Sequence, residues 1–378
     1  MPELVAIDAR GPALPGLLER VWSRGDAACV LDDRLTGTAR DIQLAALSPT
    51  RRVDEDGVEV PCNGGRGVER GDALVVTTSG STAAPRAVVL THAAVAASAL
   101  ATSARLCVDA TSDRWLCCLP CAHVGGLSVV TRALLTGTPL VVHPRFDPAE
   151  VGAAAAAGAT LVSLVAAALR RVADPLAFRA IVLGGAAAPS DVPANVVATW
   201  GMTETGSGVV YDGVPLEGVT VAAQAGELFV RGPMLARAYR DGTPIDEVGP
   251  DGARGWLATG DAGRVLDGIV EVFGRLDEVI NTGGEKVWPA DVERVLLTHP
   301  AVAEVAVWRR ADEAWGERVV AWVVPRGAPP TLEALRAQVA DALAPWAAPR
   351  ELVVVAALPR TASGKVARRA LDVSAHPA

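Results

Sequence analysis

Short apolar runs of β character recur along the first half of the chain, at residues 73–77, 115–119, 140–143, 160–165 and 180–183. Alanine-rich stretches with helical potential lie between them, notably 91–104 and 127–135. Strands that are apolar at nearly every position and alternate with helices predict parallel sheets covered on both faces. The stretch 151–169 carries no charge. It is mostly Ala and Gly, however, with Leu161, Leu164 and Leu169 as its large straight-chain residues and Gly158 as a break. It reads as a helix over 150–157, a buried strand over 160–165 and a second helix from about Ala166, not as a membrane span.

From Gly226 the pattern changes. GELFVRG and GIVEVFGR alternate between apolar and polar positions and are bounded by Gly and Asp, which predicts antiparallel strands. Beyond Gly274 a third pattern begins. DVERVLLTHP places Val292, Val295 and Leu296 on one helical face. AVAEVAVWRR and RVVAWVVP read as strands, 331–343 as a helix capped by Thr331 with Glu333 close behind, and ELVVVAALP as a last strand. The expected fold is a large α/β N-terminal domain, residues 1–276, with parallel sheets covered by helices plus an antiparallel β subdomain. A smaller α+β C-terminal domain, 277–378, follows it, joined within GRLDEV at 274–279.

A chain of 378 residues, half of them hydrophobic, can bury a sizeable core. Its net charge of −8 and the lack of any Lys/Arg block argue against a polynucleotide partner. Small phosphorylated ligands stay open, because backbone N–H groups bind them without net positive charge. MPELVAIDARG has no basic segment followed by an apolar one, so no signal peptide is expected, and a cytoplasmic location follows. The six cysteines are then expected to be reduced. Cys118-Leu-Pro-Cys121 with His123 nearby has no second ligand pair at similar spacing, which argues against zinc.

TTSGSTAAPR, residues 77–86, lacks the Gly-Lys-Ser/Thr ending of a Walker loop. Its hydroxyls, its glycine and its place between a strand and a helix still suit a phosphate. Three distant segments join it: TWGMTETGSG (199–208) after LGGAAAP (183–189), GWLATGDAGRV (255–265) with GRLDEVINTGGEKVWP (274–289), and LPRTASGKVARRAL (358–371). Together, in this order, they resemble the acyl-adenylate-forming superfamily of acyl-CoA synthetases, adenylation domains and luciferases.

The resemblance implies ATP, Mg²⁺ and coenzyme A as cofactor or cosubstrates and a small carboxylic acid as substrate. Thr78, Ser79, Gly80, Ser81 and Thr82 match the loop that holds the β- and γ-phosphates, with Ala83 where the family usually has Gly and Arg86 where it usually has Lys. Gly184, Gly185 and Ala186 match the turn beside adenine. In the next motif Trp200 stands where the family has a Tyr flanking the base, followed by Gly201 and Met202. Thr203 matches the α-phosphate contact and Glu204 the magnesium ligand. Asp261 matches the carboxylate that grips the ribose, assisted by Arg275. Asp277 matches the hinge, Gly283 and Gly284 the segment beside the pantetheine path of CoA, and Lys365 the lysine that reaches the reacting phosphate. His123, Gly125, Gly126 and Leu127 match an H-x-x-G-L stretch bordering the acyl pocket.

Only 76 residues precede Thr77, fewer than most superfamily members carry. With GMTETGSGVVYDGVPLEGV (201–219) this is most similar to the short actinobacterial o-succinylbenzoate:CoA ligases of menaquinone biosynthesis. Such an acid has two carboxylates, one activated and one recognised. Another aryl- or medium-chain acyl-CoA ligase, or an enzyme that loads a carrier protein, stays open. The presence of Glu204, Asp261, Arg275 and Lys365 together disfavours a sensor without catalysis. The oligomeric state is left open, a homodimer included.

Overall fold

A computed structural model describes residues 1–78, 85–186, 191–360 and 366–371. The chain divides into two compact units. The first comprises Met1–Ala222, Phe229–Ala258 and Val265–Val270; the second comprises Ala223–Leu228, Thr259–Arg264 and Glu271–Ala378.

Two seven-stranded sheets build the first unit. In one, Leu4–Asp8 lies parallel to Ala27–Val30 and Arg51–Asp54, and Ala27–Val30 parallel to Asp72–Thr77. Antiparallel strands close both flanks: Ala87–Thr91 on Asp72–Thr77, and Glu59–Pro61 on Arg51–Asp54. In the other, Leu140–Val142, Trp115–Cys117, Leu161–Leu164, Ala180–Leu183 and Val196–Met202 are parallel neighbours, and Ser207–Tyr211 turns back antiparallel on Val196–Met202. The expected parallel order therefore describes the centre of each sheet, and hairpins cap the edges.

The helices Ala13–Ser23, His92–Arg105 and Val124–Thr136 share one core with residues of both sheets. Leu14, Leu18, Val95, Leu127 and Val130 are buried with Val5, Ile7 and Val76 of one sheet and Trp115 and Val182 of the other. Removing such side chains from water is the main favourable term, at about 25 cal/mol per Å² of apolar surface. The uncharged stretch folds as its pattern predicts. The helix Pro148–Ala156 is capped by Asp147, whose carboxylate accepts from the Ala149 and Glu150 N–H groups; Gly158 (φ +96°) breaks it. The strand Leu161–Leu164 and the short helix Ala166–Leu169 follow. Among the described residues, no helix is long and apolar enough to cross a membrane.

Thr220–Gln224, Glu227–Arg231, Leu257–Leu266 and Ile269–Arg275 form a four-stranded sheet in that order. In the second unit the long hairpin Val302–Asp312 and Gly316–Pro325 is joined by Glu351–Val354, parallel to its second strand. Pro289–Leu296 and Leu332–Ala342 cover one face, burying Val292, Val295, Leu296, Leu335 and Val339 against Val305, Val307 and Val323. The Thr331 hydroxyl caps the second helix by accepting from Ala334 N–H at 3.2 Å. On the other face Trp308 and Trp322 pack with Leu358 and Leu371, which bracket the lysine-bearing segment.

Candidate active site

In the first unit, the hydroxyl-rich loop leaves the strand Asp72–Thr77. Thr78 N–H donates to the Arg86 carbonyl at 2.7 Å, which closes the base of that loop. Ser79, Gly80, Ser81, Thr82 and Ala83 lie outside the described residues. Gly184, Gly185 and Ala186 follow the strand Ala180–Leu183. A Cβ at Gly184 would come within 2.8 Å of Thr199 Oγ1, so the glycine lets this turn lie against the strand that carries Trp200. Gly201 sits at a bulge where that strand pairs with Ser207–Tyr211, and a Cβ there would meet the Ser207 carbonyl at 2.3 Å. Met202 N–H is held by Thr205 Oγ1 at 2.9 Å.

Thr203 and Glu204 open a single 3₁₀ turn, Thr203–Thr205. The Tyr239 hydroxyl donates to Glu204 Oε1 at 3.0 Å, and the Arg86 guanidinium lies over the Tyr239 ring, 3.3 Å from its centroid. Burial, then the Glu204 carboxylate, push the Tyr239 phenol above its ordinary pKa, so it remains a donor throughout the neutral range. Among the described residues, no group of three His, Cys, Asp or Glu side chains could hold a metal unaided. Glu204 offers one carboxylate, a donor set that suits Mg²⁺, which is usually bound through one or two carboxylates together with nucleotide phosphates.

The H-x-x-G-L stretch starts the helix Val124–Thr136, with His123 as its N-cap. His123 Nε2 lies 3.2 Å from Asp32 Oδ2 and 2.8 Å from Arg34 Nη2. Nε2 without a proton accepts from Arg34, and Nε2 bearing one donates to Asp32, so the ring's tautomer sets its partner. Burial opposes the charge on Asp32. Hydrogen bonds from Arg34 and His123 outweigh it and hold the carboxyl well below the usual range. Gly125 approaches only Leu119 Cδ1, at 3.9 Å. Gly126 is packed so that a Cβ would come within 2.5 Å of the Leu119 carbonyl, which explains a glycine inside a helix. Leu127 is buried and lines a narrow cavity with Ser98, Ser128, Thr131, Arg132 and Gly206.

Arg132 is a buried arginine on the wall of that cavity that the motifs do not single out. It is 1% exposed and lies over the Trp115 ring at 4.8 Å. Its Nη2 reaches Ser207 Oγ at 3.3 Å, while Nε and Nη1 have no partner among the described residues. Burial lowers its pKa, yet a guanidinium remains a cation. Each unmet buried donor costs about 1–3 kcal/mol, and the ring contact returns only about 0.5–2 kcal/mol. A buried cation with no carboxylate partner among the described residues thus lies on a cavity wall. The signal in sequence is a lone arginine in the otherwise uncharged run GGLSVVTRALL.

In the second unit, Arg275 Nη1 donates to Asp261 Oδ1 at 3.1 Å and to the Thr259 carbonyl at 2.8 Å. Gly260, at φ +68°, leaves room for Arg275 Nη2, which a Cβ would approach to 2.8 Å. Asp277 accepts from Arg275 Nε and from Arg369 Nη2, both at 3.4 Å. Asp261, Arg275 and Asp277 are thus one cluster. Gly283 and Gly284 form the turn between Ile280–Thr282 and Glu285–Val287, with φ of +61° and +88°. Trp315 covers that turn so closely that a Cβ on Gly283 would meet its ring at 2.5 Å. Lys365 lies outside the described residues. Its flanks are described: Arg360 and Val366 form an antiparallel bridge, and Ala367 N–H donates to the Pro359 carbonyl at 2.8 Å.

Two of the motif carboxylates are thus held by neighbours, Glu204 by a phenol in the first unit and Asp261 by Arg275 in the second. The profile of the AMP-binding enzyme family matches residues 66–240, and that of the AMP-binding enzyme C-terminal domain matches 291–365. The chain belongs to the AMP-binding enzyme family. It is similar to the probable 2-succinylbenzoate–CoA ligase of Mycobacterium tuberculosis, at 40% identity over 94% of this chain and 93% of the relative. The 2-succinylbenzoate–CoA ligase of Bacillus cytotoxicus is 34% identical over 79% of this chain and 69% of its own length. A similar solved structure is the o-succinylbenzoate CoA synthetase of Bacillus subtilis with its acyl-adenylate intermediate. It has a TM-score of 0.84 and 27% identity, over 98% of this chain and 88% of that one. The same synthetase with ATP and magnesium ion has a TM-score of 0.85 at 27% identity, over 98% of this chain and 89% of that one.

Proposed function

We propose that this chain is an AMP-forming acid–CoA ligase whose acid is 2-succinylbenzoate. The similarity to ligases named for that acid supports the reading. The single structural observation that carries it is Arg132: a buried cation with no anion among the described residues fits an acid that brings a second carboxylate. A plain fatty acid or benzoate would leave the guanidinium unpaired.

One carboxylate of the acid attacks the α-phosphorus of ATP, pyrophosphate leaves, and acyl-AMP forms. The thiol of CoA then attacks the acyl carbon, AMP leaves, and the thioester results. Two anions meet in the first step, so oriented donors and cations must stabilise the transition state. We assign Thr78 to Thr82 to the β- and γ-phosphates, and Thr203 to the α-phosphate. Gly184, Gly185, Ala186, Trp200, Gly201 and Met202 are assigned to adenine, Asp261 and Arg275 to the ribose hydroxyls. Magnesium, held by Glu204 and the phosphates, would neutralise the triphosphate. His123, Gly125, Gly126 and Leu127 border the acid, Lys365 serves the first step, and Gly283 and Gly284 the CoA path. The functional domains are taken as 1–276 and 277–378, turning at Asp277. The reading places the enzyme in the cytoplasm, where ATP and CoA are supplied.

The test is a panel of acids assayed for CoA thioester by mass. 2-Succinylbenzoate is expected to be used with a far higher kcat/KM than benzoate or a fatty acid. Equal use of a fatty acid would remove this substrate from the proposal. A further expected result concerns Asp261. In Asp261→Ala the ribose loses a charged acceptor, whose hydrogen bonds contribute about 1.5–3 kcal/mol each. The KM for ATP should rise roughly tenfold or more, and an unchanged value would place the ribose elsewhere.

A further inference from the structure

Tyr239 and the side chain of Arg86 have no part in the roles set out above. Tyr239 lies in the two-residue strand Ala238–Tyr239, which closes one edge of the first sheet with Tyr239 opposite Val88. The segment 236–239 grips Glu204 twice. Ala236 N–H donates to the Glu204 carbonyl at 2.8 Å, and the Tyr239 hydroxyl donates to Glu204 Oε1 at 3.0 Å. The Arg86 guanidinium stacks on the same tyrosine, while its own carbonyl holds Thr78 at the base of the phosphate loop. One chain of contacts therefore runs from that loop through Arg86 and Tyr239 to Glu204.

We propose that Tyr239 is a positioning residue for Glu204 and that Arg86 holds Tyr239 in place for this task. On this proposal the arginine acts on the metal carboxylate through the phenol, not as a cation gripping phosphate. The proposal rests on reading Glu204 as the magnesium ligand. A glutamate on a one-turn helix has three side-chain torsions to fix when it binds a cation. The phenol fixes them beforehand. It takes only Oε1, and Oε2 accepts from no described side chain. Partners behind a ligand commonly set its affinity for the metal in this way. The proposal also accounts for arginine at a position where the family usually has lysine. A planar guanidinium stacks on an aromatic face, which a compact, strongly hydrated ammonium does less well.

Tyr239→Phe keeps the ring for Arg86 and deletes only the donor. Two quantities test it: the Mg²⁺ dependence of acid-dependent pyrophosphate release, and the dissociation constant of Mn²⁺ from the enzyme–ATP complex, read by electron paramagnetic resonance. Both constants are expected to rise roughly tenfold, with metal-free ATP binding unchanged. Arg86→Lys should raise them less, and should add nothing once the hydroxyl is gone, because the two act in series. Unchanged metal constants in Tyr239→Phe overturn the proposal. So does a loss of metal-free ATP binding in Arg86→Lys that is equally large with and without the hydroxyl, since Arg86 would then contact phosphate directly. Glu204→Gln separates the premise from the proposal. If it leaves the metal constants alone, the reading of Glu204 itself fails. If it raises them while Tyr239→Phe does not, only the role given to Tyr239 falls.

Discussion

Lys365→Ala is expected to lower acyl-adenylate formation by roughly 10²–10³, the usual cost of losing one preorganised electrostatic stabiliser. Negative charge accumulates around the α-phosphorus as the carboxylate attacks, and a cation brought there lowers that barrier. Thioester formation begins from a finished acyl-AMP and has no need of the lysine. Supplied with synthetic acyl-AMP and CoA, the variant should make thioester at close to the wild-type rate. The segment that carries Lys365 is anchored on both sides within the second unit. Arg368 forks onto both carboxylate oxygens of Glu293 at 2.9 and 2.8 Å and reaches Glu278 at 3.0 Å, and Leu358 and Leu371 are buried. A single alanine between such anchors should leave the fold intact, so thermal melting should be unchanged. Parallel loss in both half-reactions, or in neither, would refute the role given to this lysine.

Arg132→Met is expected to raise the KM for 2-succinylbenzoate on the order of 100-fold, as two charge-assisted hydrogen bonds to a carboxylate are lost. The same substitution should leave the protein no less stable to urea. Methionine fills a similar volume, and replacing a buried, incompletely bonded charge by an apolar side chain is often neutral or stabilising. Loss of affinity without loss of stability is the signature of a group kept for its ligand. A KM that does not move would show that the second carboxylate is met by another group.

The elements that were legible in the sequence were continuous apolar runs and helices with a regular apolar face. The segment 150–169, the Thr331 cap and the apolar face of Pro289–Leu296 all follow from local chemistry. The strands Leu4–Asp8, Ala27–Val30, Arg51–Asp54 and Glu59–Pro61 were not read from the pattern. They are no shorter than Leu140–Val142, but Arg51–Asp54 and Glu59–Pro61 carry charges and half of Ala27–Val30 is alanine, so these do not stand out as apolar runs. The assigned residues rested on motifs, whereas the groups that the structure adds come from distant pairings. Tyr239 reaches Glu204 across 35 residues, Arg132 reaches Ser207 across 75, and Asp32 reaches His123 across 91. Local pattern carries no information about such partners. It does expose an arginine in an uncharged run, an irregularity that only the structure connects with a cavity.

The helix Val124–Thr136 carries His123 at its start and Arg132 along its length. At a rise of 1.5 Å per residue, nine residues set these two positions about 13 Å apart along the axis. That spacing belongs to the hydrogen-bonded backbone, not to a mobile loop. If His123 borders the acid and Arg132 meets its second carboxylate, as proposed, the helix is a ruler for the acid. Moving the cation along the ruler means moving it by whole turns, about 5.4 Å at a time, because intermediate positions point to other faces. On that proposal substrate length would be graduated coarsely, and a change of acid would require relocating a buried charge within the main core.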